Sequence, residues 1–156
     1  MGQLTAGSKA PAFRLKDQTG KTVKLSDFKG QRLLVYFYPK ADTPGCTTQA
    51  CAVRDARPNL AKAGVAAVGI SPDGPTAQAK FDQKHGLGFP LLCDEDHAVA
   101  DAYGAWGEKS MYGKKYQGII RSAFLIDAKG KIAQVWYKVS PKATVPNLMK
   151  ALEETA

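Results

Sequence analysis

Three features of the sequence predict an α/β fold, a central mixed β-sheet flanked by helices with a β-hairpin ahead of it. Two short runs, Leu33 to Tyr38 and Val65 to Ile70, are apolar without polar alternation, the signature of strands covered on both faces. Helical spacing follows each run, and β-α-β-α order favours parallel strands joined by right-handed crossovers. Late in the chain, two further apolar runs flank Asp127-Ala-Lys-Gly-Lys131, a turn that makes the last strands antiparallel. With 156 residues the chain has room for one hydrophobic core and reads as a single domain, 1–156.

Taken in order, Ala12 to Leu15 and Val23 to Leu25 flank a Thr-Gly turn and form the entry hairpin. Arg32 to Tyr38 is a central strand stopped by Pro39. Thr43-Pro-Gly is a loop-to-helix signal, and the helix is predicted from about Cys46 through Leu60, with a break at Pro58 and Gly64 closing it. Val65 to Ser71 is the second buried strand, and Thr76 to His85 a helix ended by Gly86. Phe89 to Leu92 is a short strand, after which Asp96 caps a helix through Tyr103. A loop of mixed Gly, Lys and aromatic residues leads to strands Ile119 to Ile126 and Ile132 to Tyr137. The last helix is expected near Val145, with Thr144 as cap and Pro146 in its first turn.

Composition excludes several classes. Apolar residues make up 44% and charged residues 23%, which fits a globular protein rather than a disordered or disulfide-dense one. No apolar stretch approaches the ~18–20 residues that cross a bilayer. The first residues lack an apolar leader segment, and Ala6 breaks the myristoylation pattern that Gly2 would begin. A cytoplasmic location is expected. The net charge of +8 raises the question of nucleic acid or an anionic membrane, but the 22 Lys and Arg divide evenly between residues 1–78 and 79–156 and never cluster beyond Lys114-Lys115. A dispersed, solubilising surface is the better reading.

Three cysteines in a chain of this kind point to chemistry rather than to structural bridges. Cys46 falls at a helix N-terminus, where unpaired N–H groups and the positive end of the dipole favour a thiolate. The competing reading is a small helix-start residue without chemistry. Cys51 follows at a C-x4-C spacing, which is neither the C-x-x-C of a dithiol oxidoreductase nor a zinc spacing. Five helical residues put the two Cα atoms roughly 8–9 Å apart, beyond the ~7 Å that a disulfide tolerates, so any pairing requires the first turns to unwind. Otherwise Cys51 is a buried helical thiol. Cys93 reads as an inert core thiol, since Cys93-x3-His97 alone cannot close a metal site. His85 and His97 read as surface or helix-end residues.

Pro39-Lys-Ala-Asp-Thr43-Pro-Gly-Cys46 carries P-x-x-x-T-x-x-C, and with Thr43 to Cys51, Trp106-Gly-Glu-Lys, Gly113-Lys-Lys-Tyr116 and Arg121-Ser-Ala-Phe-Leu-Ile-Asp127 the chain resembles the peroxiredoxins, in particular the peroxiredoxin Q or bacterioferritin comigratory protein subfamily. The resemblance runs from about Gly7 to Glu153. It implies a thioredoxin-like fold and a thiol peroxidase acting on hydrogen peroxide and organic hydroperoxides. Carried onto matching positions, it implies that Cys46 is the peroxidatic cysteine, that Thr43 and Arg121 activate it, and that Pro39 shields the pocket. Cys51 resembles the resolving cysteine, with the resulting disulfide reduced by thioredoxin or a similar dithiol protein. No metal or organic cofactor is implied, and a monomer is expected. Gln49 departs from the Glu usual in this subfamily, and Cys93 is additional to the pair. The runner-up is a protein disulfide oxidoreductase without peroxidase activity, against which the absence of C-x-x-C weighs.

Overall fold

A computed structural model describes residues 3–154; Met1-Gly2, read above for leader and lipid signals, lie outside the described residues. A seven-stranded sheet forms the centre, in the order β2 (Thr22–Lys24), β1 (Arg14–Lys16), β5 (Leu91–Cys93), β4 (Val65–Ser71), β3 (Arg32–Phe37), β8 (Ser122–Ile126), β9 (Ile132–Trp136), and β6 (Trp106–Met111) with β7 (Lys114–Ile119) forms a separate two-stranded sheet. β1 (Arg14–Lys16) and β2 (Thr22–Lys24) form the entry hairpin. β3 (Arg32–Phe37) and β4 (Val65–Ser71) pair in parallel, as do β4 and β5 (Leu91–Cys93). β8 (Ser122–Ile126) runs antiparallel to β3, and β9 (Ile132–Trp136) antiparallel to β8. The sheet is therefore mixed, as the pattern of buried runs and turns predicts.

Side chains alternate between two apolar layers. Leu34, Tyr36, Ala67, Leu91, Ala123 and Leu125 face α1 (Pro44–Lys62), α2 (Pro75–His85) and α4 (Thr144–Glu154), while Leu33, Val35, Phe37, Val68, Phe124 and Ile126 face α3 (Ala98–Ala102) and the N-terminal segment. Residues of β3 are on both lists because a strand with period-2 side chains and no polar alternation must be covered on both sides.

Several local expectations are corrected. α1 begins two residues earlier than predicted, at Pro44, and continues through Pro58 without a break. Pro58 lies on the solvent-exposed face, where an unpaired carbonyl can be hydrated. Asp94 supplies much of the α3 cap, accepting from the N–H groups of Val99 and Ala100, while Asp96 accepts from Ala98. Thr144 is inside α4; its hydroxyl donates to the Ser140 carbonyl, and Ser140 Oγ accepts from Ala143 N–H. The short strand is Leu91–Cys93 rather than Phe89 to Leu92.

The largest correction is the stretch expected as a loop after Tyr103. It forms a hairpin of β6 (Trp106–Met111) and β7 (Lys114–Ile119), closed by Tyr112 and Gly113, both at positive φ (53° and 80°). Two consecutive left-handed residues define a tight primed turn. Ile119 thus ends β7, and the strand predicted from it begins only at Ser122.

One polar atom of the core stands out. The Tyr36 ring packs on Tyr38 and Phe89 and over Gly69, yet its hydroxyl has no hydrogen-bond partner among the described residues. A buried orphan donor costs roughly 1–3 kcal/mol. Tyr36→Phe removes the oxygen and keeps the packing, so it is expected to raise the melting temperature of the reduced protein by about 2–4 °C per kcal/mol recovered. A calorimetric scan showing a lower melting temperature would contradict this.

Candidate active site

The sheet topology builds the site. β3 ends at Phe37, and the chain crosses the C-terminal edge of the parallel strands before entering α1. This edge is where open α/β sheets place their chemistry. The crossing loop is pinned: Ala41 N–H donates to Asp73 Oδ2 at 2.7 Å, and Asp42 contacts Lys84 at 3.1 Å and His85 at 3.2 Å. These two partners hold the exposed Asp42 carboxyl below its ordinary range, His85 more than Lys84. Thr43 is the N-cap residue, Pro44 and Gly45 open α1, and Cys46 follows within the first turn with 1% of its surface exposed. Thr43 makes no side-chain cap bond; its hydroxyl donates to Lys40 O at 2.8 Å, so lone pairs remain to accept from another donor. The first helical N–H groups have no intrahelical acceptor and are the positive end of the helix dipole.

Arg121 reaches the same point from the other side. Phe37 pairs with Ser122 in the β3–β8 register, so the residue before β8 stands at the end of β3. Its carbonyl accepts from Val139 N–H at 3.0 Å, which fixes the backbone. Arg121 Nη2 lies 3.4 Å from Cys46 Sγ, and Nη1 donates to Gln49 Oε1 at 2.7 Å. Gly45 makes this approach possible: a Cβ there would come within 3.2 Å of Nη2.

Gln49 completes the arrangement. One turn after Cys46 on the same helix face, it is fully buried, and its Nε2 donates to Thr144 Oγ1 at 2.8 Å. The amide oxygen accepts from the guanidinium as a carboxylate oxygen would, without its charge, and the amide nitrogen links α1 to α4. The sequence signal for it came from the family resemblance, in which a Glu is usual at this position; its bond to Thr144 had none, because nearly a hundred residues separate the two.

Of the sequence-predicted site residues, Cys46 and Arg121 are in direct contact, and Thr43 opens the helix that carries Cys46. Pro39 is half-buried in the turn leaving β3. Cys51 is half-buried further along α1 against the helix-side core, and all three cysteines are free thiols. Because the helix is continuous from Pro44 to Lys62, Cys46 and Cys51 are held apart in this state. Cys93 ends β5 between Lys16 and Ser71. Burial pushes its thiol up to about 11, reinforced by Glu95, Asp17 and Asp73. His85 contacts Asp42, and His97 stacks on Trp106 at 3.7 Å with Nδ1 2.8 Å from Asp101.

A sealed cysteine at a helix N-terminus, in contact with a guanidinium on a thioredoxin fold, defines the class of thiol peroxidases. The AhpC/TSA family pattern matches residues 6–135. Escherichia coli (strain K12) Peroxiredoxin Bcp is 57% identical over 136 residues, 87% of each chain. Bacillus subtilis (strain 168) Peroxiredoxin Bcp is 45% identical over 151 residues, 97% of this chain and 96% of that protein. A cysteine-to-serine mutant of Xanthomonas campestris Peroxiredoxin Q superposes with a TM-score of 0.90 at 36% identity, covering 98% of this chain and 100% of that one. Xanthomonas campestris bacterioferritin comigratory protein, whose structures address alkyl peroxide reduction, superposes with a TM-score of 0.89 at 35% identity, covering 96% and 98%. The chain belongs to the AhpC/TSA family.

Proposed function

We propose that Cys46 is the peroxidatic cysteine and Cys51 the resolving cysteine of a thiol peroxidase that reduces hydrogen peroxide and organic hydroperoxides. The observation that carries this reading is the 3.4 Å contact of Arg121 Nη2 with Cys46 Sγ at the start of α1. The Cys46 thiolate attacks the terminal oxygen of R–O–OH; the S–O bond forms, the O–O bond breaks, and RO⁻ leaves to take a proton from solvent. Negative charge moves from sulfur toward the departing oxygen, so donors fixed around both ends lower the barrier. Arg121 and the free N–H groups of the first turn of α1 supply those donors, Thr43 Oγ accepts from the incoming hydroperoxide, and Pro39 screens water without adding a donor.

The sulfenic acid on Cys46 then condenses with the Cys51 thiol, forming the S–S bond and releasing water. This requires the first turns of α1 to unwind, a local opening of the kind that helix termini undergo. An external dithiol of the thioredoxin type reduces the disulfide by exchange. The raised Cys93 thiol supports leaving it out of the cycle, since thiolates and not thiols react. Among the described residues no helix is long and apolar enough to cross a membrane. The proposal includes a monomer located in the cytoplasm.

Mass-spectrometric mapping after one equivalent of hydrogen peroxide tests the pairing. A Cys46–Cys51 bridge with Cys93 free is the expected product; a bridge through Cys93 would reassign the resolving role.

A further inference from the structure

A cavity of about 700 Å³ opens at the end of the sheet remote from Cys46, and its volume is that of a small-molecule site. Leu33 and Ile126, buried partners in the β3–β8 register, line it where β3 begins and β8 ends, whereas Arg121 and Cys46 stand where β3 ends and β8 begins. Phe13, buried as well, and the half-buried Leu25 and Phe28 extend the apolar lining. The Phe13 carbonyl accepts from Leu25 N–H at 3.2 Å, which holds two sides of the cavity together.

Five exposed cations share this lining: Lys9, Arg14, Lys24, Lys29 and Lys129. Among the described residues none of them makes an ion pair. Asp127 is the one carboxylate of the lining, and its Oδ1 accepts from the backbone N–H groups of Lys129 and Lys131, each at 2.9 Å. Asp27 Oδ2 likewise accepts from Lys24 N–H at 2.9 Å. The strand pairing adds to the excess of positive charge. Arg14 lies directly opposite Lys24 in the β1–β2 register, and Lys9 lies opposite Lys131 in an isolated antiparallel bridge. Like charges directly opposite one another destabilise a ladder, and among the described residues no ion pair offsets either repulsion.

From this arrangement we infer that the cavity is a binding site for a single-chain anionic amphiphile, a carboxylate carried on an alkyl chain. The chain covers the apolar lining, and the carboxylate lies against Arg14 and Lys24, where its charge offsets their repulsion. Apolar lining alone would accept a neutral ligand and the cations alone any anion; their combination selects a molecule with both properties. The inference goes beyond the peroxidase reading and stands apart from it, because no residue of the cavity belongs to the site around Cys46.

Octanoate, octan-1-ol and acetate, titrated separately into the reduced protein and followed by amide chemical shifts, provide the test. Octanoate is expected to bind about tenfold or more tightly than octan-1-ol, which lacks the charge, and than acetate, which lacks the chain. Its shifts should centre on Phe13, Leu25, Phe28 and Leu33. In the double variant Arg14→Gln, Lys24→Gln, octanoate affinity should fall about tenfold while that for octan-1-ol stays within about twofold. Arg14→Lys, which keeps the charge, should hold octanoate within about threefold of the parent and so separates loss of charge from loss of fold. Equal binding of octanoate and acetate would mean an adventitious ion only and would overturn the inference, as would equal binding of octanoate and octan-1-ol or shifts centred on Thr43 to Cys46. A dimer in sedimentation that the double variant abolishes would give the face to a second copy, and tighter binding of a Glu-rich peptide at the same residues would give it to a protein partner; either result also overturns the inference.

Discussion

Cys46→Ser is expected to abolish peroxide reduction, with a loss on the order of 10⁴-fold or more, measured as peroxide consumption with thioredoxin, its reductase and NADPH supplied. The hydroxyl that replaces the thiol is not ionised by a guanidinium and a helix N-terminus in the way a thiol can be, so no nucleophile of comparable strength remains. The fold should survive, because the change removes little volume from a position packed among Ala50, Val53 and Tyr36 in the helix-side layer. A normal melting curve with absent turnover is therefore the expected pair of results. Retained turnover would pass the peroxidatic role to Cys51 or Cys93 and dissolve the assignment built on Arg121.

How far the sequence revealed this molecule depends on the range of the interactions involved. The buried strands β3 and β4 were readable because each is a short uninterrupted apolar run, and the α2 terminus because Gly86 takes the left-handed conformation there, at φ 58°. The β6–β7 hairpin was not readable. Its turn places Tyr112, rather than the usual Asn or Asp, at a positive φ, and β7 opens on four exposed residues, Lys114 to Gln117, so neither turn chemistry nor alternation announced it. Pro58 misled because a proline's penalty depends on which helix face it occupies, and the face is decided by tertiary packing.

The same division holds within the site. Cys46, Thr43 and Pro39 belong to one contiguous motif, and Arg121 to another whose role came through family resemblance; the contact between the two motifs depends on the β3–β8 register. Gln49 drew notice because the resembling subfamily usually has Glu there. Its partner Thr144, read as a helix cap, turned out to spend its hydroxyl hydrogen on Ser140 O and its lone pair on Gln49. The consequence is a continuous chain of hydrogen bonds from α4 through Gln49 to the guanidinium at the sulfur.

Arg121→Met should lower kcat/KM by about 10²–10³, with hydrogen peroxide and organic hydroperoxides affected alike, because the lost donors act on the sulfur and on the peroxide oxygens rather than on any substituent. Two contributions must be separated. Removing the guanidinium also strips Gln49 Oε1 of its partner, and a buried unsatisfied acceptor costs roughly 1–3 kcal/mol of stability, so the melting temperature should fall even where activity is not measured. Arg121→Lys distinguishes the two effects. A lysine restores the charge, but a single ammonium cannot occupy the positions of Nη1 against Gln49 and Nη2 against Cys46 in one rigid plane. Partial recovery of stability with activity still well below that of the parent is the expected result. Full recovery by lysine would mean that charge alone suffices and that the geometry held by Gln49 and Thr144 is dispensable. Parent-level activity in Arg121→Met would remove the contact on which the peroxidatic assignment of Cys46 stands.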